Sequence, residues 1–276
     1  MSLKLMCITN KENIARVAEA SDVDWIFIDL EINGKDERQG HLDTVISRHH
    51  INDVKKIKDV LTKAELLVRV NPIYDGSQNE INKVVNDGAD IVMLPFFKTK
   101  EEVKLFIEYV GGRAKTCLLL ETPEAVEKID DILELKGIDL IHIGLNDLHL
   151  GYNMKFMFEL LADGTIETLC NKFKTIGIPY GFGGIAKLGQ GSLPAEYIMA
   201  EHFRLGSSMV ILSRSFYNAD VTEKAGEVKE IFESGVNEIR GYEAKLALEN
   251  KDFFEKNRLR VEEIVREITK QSLVNR

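Results

Sequence analysis

The chain contains little cysteine and no paired thiols. Cys7, Cys117 and Cys170 make an odd count with no CxxC spacing. This argues against a disulfide framework or a thiolate zinc site, and fits a reducing compartment. Nitrogen ligands for zinc are missing too, because no HxH or HExxH motif occurs. No stretch approaches the ~20 apolar residues of a membrane-spanning helix, and the opening MSLKLMCITN is too short an apolar run for a signal peptide. A soluble, cytoplasmic protein with no membrane partner is the expectation. A basic excess is absent: 36 Lys and Arg stand against 45 Asp and Glu, a net charge of −9. Nucleic acid is therefore not an expected partner. There is no Pro/Ser-rich linker and no low-complexity segment.

What the chain does contain is alternation. Its 276 residues, 44% hydrophobic and 29% charged, suit one large α/β domain or two small ones. Short apolar runs predict strands at 3–9, 24–31, 66–71, 90–96, 115–122, 139–144, 179–184 and 208–212. Between them lie helix patterns such as NKENIARVAEA, INDVKKIKDVL and TKEEVKLFIEYVGG, which start on Asn, Thr or Ser and stop at Gly. About eight β-then-α units predict a (β/α)8 TIM barrel over residues 1–216. An open doubly wound sheet is the alternative, but the first βα turn lacks GxGxxG. Residues 217–276 read as extra C-terminal helices that close the barrel or contact a neighbouring subunit, in a homo-oligomer.

Buried strands do not normally end on two carboxylates, yet DWIFIDLE carries Asp29 and Glu31 at its end. In a barrel, groups that do chemistry sit at the C-terminal ends of strands. That rule selects Glu31, Arg69 in LLVRVNP, Glu121 in LLLET and Asp147 in IHIGLNDL. Alternation puts Phe27, Asp29 and Glu31 on one face and Ile26, Ile28 and Leu30 on the other. Converging carboxylates need a compensating charge, which a hard divalent cation supplies. The bland reading is that Glu121 and Asp147 serve helix starts and that Arg69 is a structural ion-pair partner.

In order and spacing these segments resemble the HpcH/HpaI aldolase and citrate lyase family. The likeness runs from about Asp24 to about Leu212. It rests on DWIFIDLE, LLVRVNP, DGADIVMLPFFKTKEEV, LLLETPEAVEKIDDI and IDLIHIGLNDLHLG, with Glu121 and Asp147 26 residues apart. The resemblance implies that Glu121 and Asp147 ligate Mg²⁺ or Mn²⁺, and that Arg69 contacts a 2-oxo acid substrate. It implies that the turn from Gly144 through Asn146 to Asp147 holds the substrate carboxylate, with Asp29 and Glu31 orienting the metal's waters. The implied activity is a metal-dependent carbon–carbon lyase. A lyase for CoA thioesters, and a binding protein without turnover, are the alternatives.

The pattern departs from the family at three places. The histidine that follows Asp-x-Glu is Ile32, its aspartate partner is Asn86, and a glutamine two residues before the metal glutamate is Leu119. Ile32 and Asn86 cannot form an imidazole–carboxylate dyad. The candidate replacements are His50 and His49, ahead of His41, or else His149. Lys35, Arg38 and Arg48 in the same loop could meet phosphates.

Overall fold

The structure is a computed structural model and describes residues 2–33, 49–214, 216–217 and 225–274. Lys35, Arg38, His41 and Arg48 lie outside the described residues. Eight parallel strands pair in chain order into a closed barrel. They are β1 (Lys4–Ile8), β2 (Trp25–Asp29), β3 (Glu65–Arg69), β4 (Ile91–Leu94), β5 (Lys115–Leu120), β6 (Leu140–Ile143), β7 (Tyr180–Ile185) and β8 (Met209–Leu212). All eight expected strands are present. The expected runs at β2 to β5 extend one or two residues past the observed strand ends, because the pattern continues into Glu31, Asn71, Phe96 and Thr122. Those residues leave the ladder and serve the site.

By contacts the chain divides into two compact units, Met6–Ile141 and Met1–Leu5 with His142–Arg276. In the first unit β2 pairs with β3 in the register Trp25↔Glu65 to Asp29↔Arg69. Its helices are α1 (Glu12–Ala20), α2 (Asn52–Lys58), α3 (Ser77–Asn86), α4 (Lys100–Val110), α5 (Pro123–Glu127) and α6 (Ile129–Ile132). Each covers the sheet with an apolar stripe, such as Val103, Phe106 and Val110 on α4. Caps follow the sequence only in part. Thr99 and Glu102 form a capping box on α4, which ends on left-handed Gly111. The N-cap of α1 is Lys11 rather than Asn10; the Lys11 amide donates to Thr9 Oγ1 at 3.1 Å, and Asn10 Nδ2 donates to Asp53 Oδ2 at 2.9 Å.

The second unit holds α7 (Leu145–Gly151), α8 (Glu159–Ala162), α9 (Thr165–Ile176), α10 (Ala195–Leu205), α11 (Ala225–Leu246) and α12 (Lys251–Val274). β7 and β8 run so close that a Cβ on Gly181 would stand 2.1 Å from the Met209 carbonyl oxygen, so only glycine fits. The surplus helices pack on their own chain. On α11, Glu243 Oε1 accepts from the Leu3 amide at 2.7 Å, and Arg240 Nη1 donates to the Leu3 carbonyl at 2.8 Å. On α12, Asn257, Val261 and Val265 form a buried stripe at four-residue spacing. Asn257 Nδ2 donates to Glu201 Oε1 on α10 at 2.8 Å. Among the described residues no helix is long and apolar enough to cross a membrane.

Candidate active site

The site in the first unit starts from strand register. Asp29 and Arg69 are direct partners across the β2–β3 ladder, so their side chains leave the sheet on the same face. The guanidinium grips the carboxylate with two parallel bonds, Nε to Oδ1 and Nη2 to Oδ2, both 2.8 Å. Arg69 Nη1 lies 3.5 Å from Glu31 Oε2, and the guanidinium carbon sits 5.6 Å from the centre of the Phe27 ring. The alternation of Phe27, Asp29 and Glu31 is therefore realised as one surface around Arg69. Burial opposes the positive charge, but Asp29, Glu31 and Glu121 raise the Arg69 pKa above its ordinary value. Arg69 is a fixed cation, with Nη1 and one N–H of Nη2 not used by Asp29.

Glu121 follows the last residue of β5 and is buried. Two neighbours hold this strand end. Thr122 caps α5 by accepting from the Ala125 amide, and its hydroxyl donates to the Phe97 carbonyl at 2.7 Å. Phe96 takes a left-handed backbone, φ +48, which costs a bulky residue of order 1–3 kcal/mol. That conformation aims its amide at Glu121 Oε1, 3.1 Å away. The strain is spent on orienting one carboxylate oxygen.

In the second unit, Asp147 is buried in the first turn of α7. Gly144 is the N-cap of that helix, with extended backbone, and Asn146 is half-buried. The first turn of a helix presents amides without intrahelical acceptors.

The histidines separate clearly. The Asp29 amide donates to His49 Nδ1 at 3.0 Å. That nitrogen accepts and carries no proton, so the proton of the neutral ring is on Nε2. His50 is exposed, and its Nδ1 accepts from the Asn52 amide at 3.2 Å, at the start of α2. His149 is buried with Nδ1 3.1 Å from the Leu145 carbonyl oxygen. His142 is buried with Nε2 3.0 Å from the Gly183 carbonyl oxygen. Ile32 is 57% exposed and Asn86 is the exposed last residue of α3. Leu119 is buried two residues before Glu121.

Among the described residues no group of three or more His, Cys, Asp or Glu side chains is gathered for a metal ion. The donor chemistry nonetheless fits a hard cation. Arg69 feels three carboxylates, Asp29, Glu31 and Glu121, and one positive charge against three negative ones leaves an excess that a divalent ion balances. Magnesium needs only one or two protein carboxylates, the rest of its sphere being water and substrate oxygen.

A closed parallel barrel with acids and an arginine at its strand ends is a (β/α)8 barrel with polar groups where such barrels carry their sites. Residues 4–158, more than half of the chain, match the family HpcH/HpaI aldolase/citrate lyase, and the chain belongs to that family. Among solved structures it is similar to an HpcH/HpaI aldolase from Desulfitobacterium hafniense DCB-2. The two share 16% sequence identity at a TM-score of 0.58, over 77% of this chain and 86% of the other. That likeness carries the fold. No curated protein matches the chain in sequence.

Sequence reasoning missed three participants. Asn71 accepts from two amides next to Glu31, Glu80 supports Asn71, and Phe96 acts through its backbone. The signal for Asn71 was present: an asparagine before proline, two residues past Arg69, stays on the same face of the extended chain. Nothing in the sequence marks a left-handed phenylalanine.

Proposed function

We infer that the protein is a divalent-metal-dependent carbon–carbon lyase of the aldolase type, acting on a 2-oxo acid. The observation that supports this most directly is the convergence of Asp29, Glu31 and Glu121 on Arg69, at the strand ends of a chain that belongs to an aldolase and citrate lyase family. Glu121 would hold Mg²⁺ or Mn²⁺, with Asp147 as the second ligand that the resemblance to the family's motif implies. When bound, the cation supplies Lewis-acid charge that favours the enolate of a 2-oxo acid. Arg69 offers the donors left over from Asp29 to a developing oxyanion, and Asp29 keeps the guanidinium plane fixed. The Phe96 amide holds one oxygen of Glu121, which limits how that carboxylate can turn. The turn at Gly144, Asn146 and Asp147 would bind the substrate carboxylate through its amides.

A second reading, a 2-oxo acid binding protein without turnover, is favoured by Ile32 and Asn86. Both are exposed where the family places its acid–base dyad. One experiment separates the readings. Proton exchange at C3 of pyruvate is followed by NMR in D₂O with Mg²⁺ or Mn²⁺, beside calorimetric titration of Mn²⁺. Exchange abolished by Glu121→Ala and by Asp147→Ala supports the lyase. Metal-dependent binding without exchange supports the second reading. Mn²⁺ affinity unchanged in the double variant overturns both.

A further inference from the structure

The last sheet bond on β2 runs from the Leu30 amide to the Arg69 carbonyl at 2.9 Å, so Glu31 and the residues after it lie beyond the ladder. Something other than the sheet must hold them. The Glu31 amide donates to Asp29 Oδ1 at 3.2 Å. The next two amides, of Ile32 and Asn33, both donate to one acceptor, Asn71 Oδ1, at 2.9 and 3.0 Å. Ile32 is 57% exposed, so its side chain adds little to the anchoring of this turn. The Asn71 oxygen accounts for two successive peptides.

The amide of Asn71 is itself oriented. Its Nδ2 donates to Glu80 Oε1 at 2.8 Å, and its backbone N–H lies 3.4 Å from both oxygens of the same carboxylate. Flipping the amide would turn its oxygen toward a carboxylate and its NH₂ toward two N–H donors, and both contacts would repel. Glu80 stands in the first turn of α3 and is buried. Burial pushes its pKa up, while Asn71 first and the nearby Tyr74 after it act to lower it. The Tyr74 ring lies over Gly76, where a Cβ would stand 2.4 Å from ring carbon Cε2. Gly76 thus leaves room for the Tyr74 ring beside the start of α3. The result is a continuous chain from Glu80 through Asn71 to the peptides after Glu31.

We propose that Asn71 is a positioning residue for Glu31, and that Glu80 sets the orientation of the Asn71 amide. The relay keeps the Glu31 carboxylate beside Arg69 when the metal and the 2-oxo acid enter. This deepens the lyase reading and rests on it for the ligand, but not for the hydrogen bonds. Partners that touch a metal ligand typically change metal affinity about 10–100-fold when removed; Asn71 stands further out, so the lower end of that range is the expectation.

The test compares Asn71→Ala, Glu80→Ala and Glu80→Gln with the unaltered protein. The glutamine can still accept from Asn71 Nδ2, so it is the conservative rescue. Hydrogen–deuterium exchange reads the segment holding the Ile32 and Asn33 amides, without metal or substrate. Calorimetry reads Mn²⁺ affinity. Asn71→Ala is expected to speed amide exchange there about tenfold or more and to weaken Mn²⁺ binding about tenfold. Glu80→Ala follows it in direction, and Glu80→Gln stays within about threefold of the unaltered protein. If Asn71→Ala does not fold, the two Glu80 variants decide the matter alone. Unchanged amide exchange in the folded alanine variants overturns the relay. Faster exchange with unchanged Mn²⁺ affinity shows a structural anchor only and overturns the positioning role. If the unaltered protein binds no Mn²⁺, the lyase reading fails by itself, and the exchange rates still decide whether Asn71 holds the turn.

Discussion

Asp29 and Arg69 are partners twice, once as neighbours in the β2–β3 register and once as a bidentate ion pair at 2.8 Å. The first relation produces the second. Adjacent strands deliver both side chains to one face at the same height, so no loop has to form for the pair to meet. The Asp29 side chain is 1% exposed and that of Arg69 is 14% exposed.

Removal of Arg69 leaves three buried carboxylates without their cation, whereas removal of Asp29 leaves Arg69 beside Glu31 and Glu121. Arg69→Ala is expected to cost about 3–5 kcal/mol, Asp29→Ala about 1–3 kcal/mol, and the double leucine variant stays costly because it too leaves Glu31 and Glu121 without a cation. Urea unfolding of the two single variants and the double variant measures this. A loss below about 1 kcal/mol for Asp29→Ala would place the pair with surface ion pairs and contradict its assigned role.

His202 offers a test that depends on pH. Its ring stacks on Phe182 at 3.9 Å and 3°, with Nδ1 2.7 Å from the Ser207 hydroxyl. Nε2 is buried without a hydrogen-bond partner among the described residues. Burial first, and the neighbouring His142 second, push its pKa from 6.5 down to about 3. The folded protein keeps this imidazole neutral where the unfolded chain protonates it. Between pH 6.5 and about 3 the unfolded state binds more protons, so stability falls as the solution is acidified through that window. The slope from one such group is at most about 1.4 kcal/mol per pH unit. His202→Gln removes the titration. The stability gap between the original protein and this variant should shrink from pH 7 to pH 4, and a constant gap would contradict the assignment.

Much of this was legible in the sequence, for definite reasons. A parallel barrel buries its strands on both faces, so each appears as a short apolar run, and all eight runs correspond to strands. The alternation of Phe27, Asp29 and Glu31 predicted one face, and Arg69 touches all three. What pattern cannot supply is partnership across the chain. Nothing local says that Arg69 gives two of its donors to Asp29, that Asn71 serves residues 32 and 33, or that Phe96 turns left-handed toward Glu121. These depend on register and on which strand end lies beside which. Cap positions differ too: α1 starts on Lys11 without a side-chain cap, and Asn10 bonds Asp53 across the chain.

The surplus helices supply the third prediction. The best apolar stripe of α12, at Val261 and Val265, is consumed within the chain. Leu259 on the same helix is 50% exposed, and Leu248, between α11 and α12, is 88% exposed. A homo-oligomer assembled through this face is the expected state. Light scattering at micromolar concentration should give a multiple of the 31.3 kDa chain, and Leu248→Asp with Leu259→Asp should lower it. A monomer before substitution contradicts the expectation.

The fourth prediction concerns the proton. With Ile32 and Asn86 in place of the dyad, turnover is expected to be weak while metal-dependent binding of 2-oxo acids persists. A poised base typically contributes about 10²–10⁴-fold. Of the histidines that the sequence offered, His49 touches the site, since its Nδ1 accepts from the Asp29 amide at 3.0 Å. That bond fixes the ring and leaves Nε2 as the nitrogen that can exchange a proton. His50 is exposed and its Nδ1 accepts from the Asn52 amide at the start of α2. His49→Gln should therefore lower C3 proton exchange of pyruvate by about 10²-fold or more, with 2-oxo acid affinity nearly unchanged. His50→Gln should change the rate by less than about threefold, as expected of a side chain outside the reaction. Exchange that is fast in both variants would assign the proton to another group and would remove His49 from the mechanism. A matched fall in affinity and rate for His49→Gln would show instead that the ring supports Asp29, and through it Arg69, rather than moving a proton.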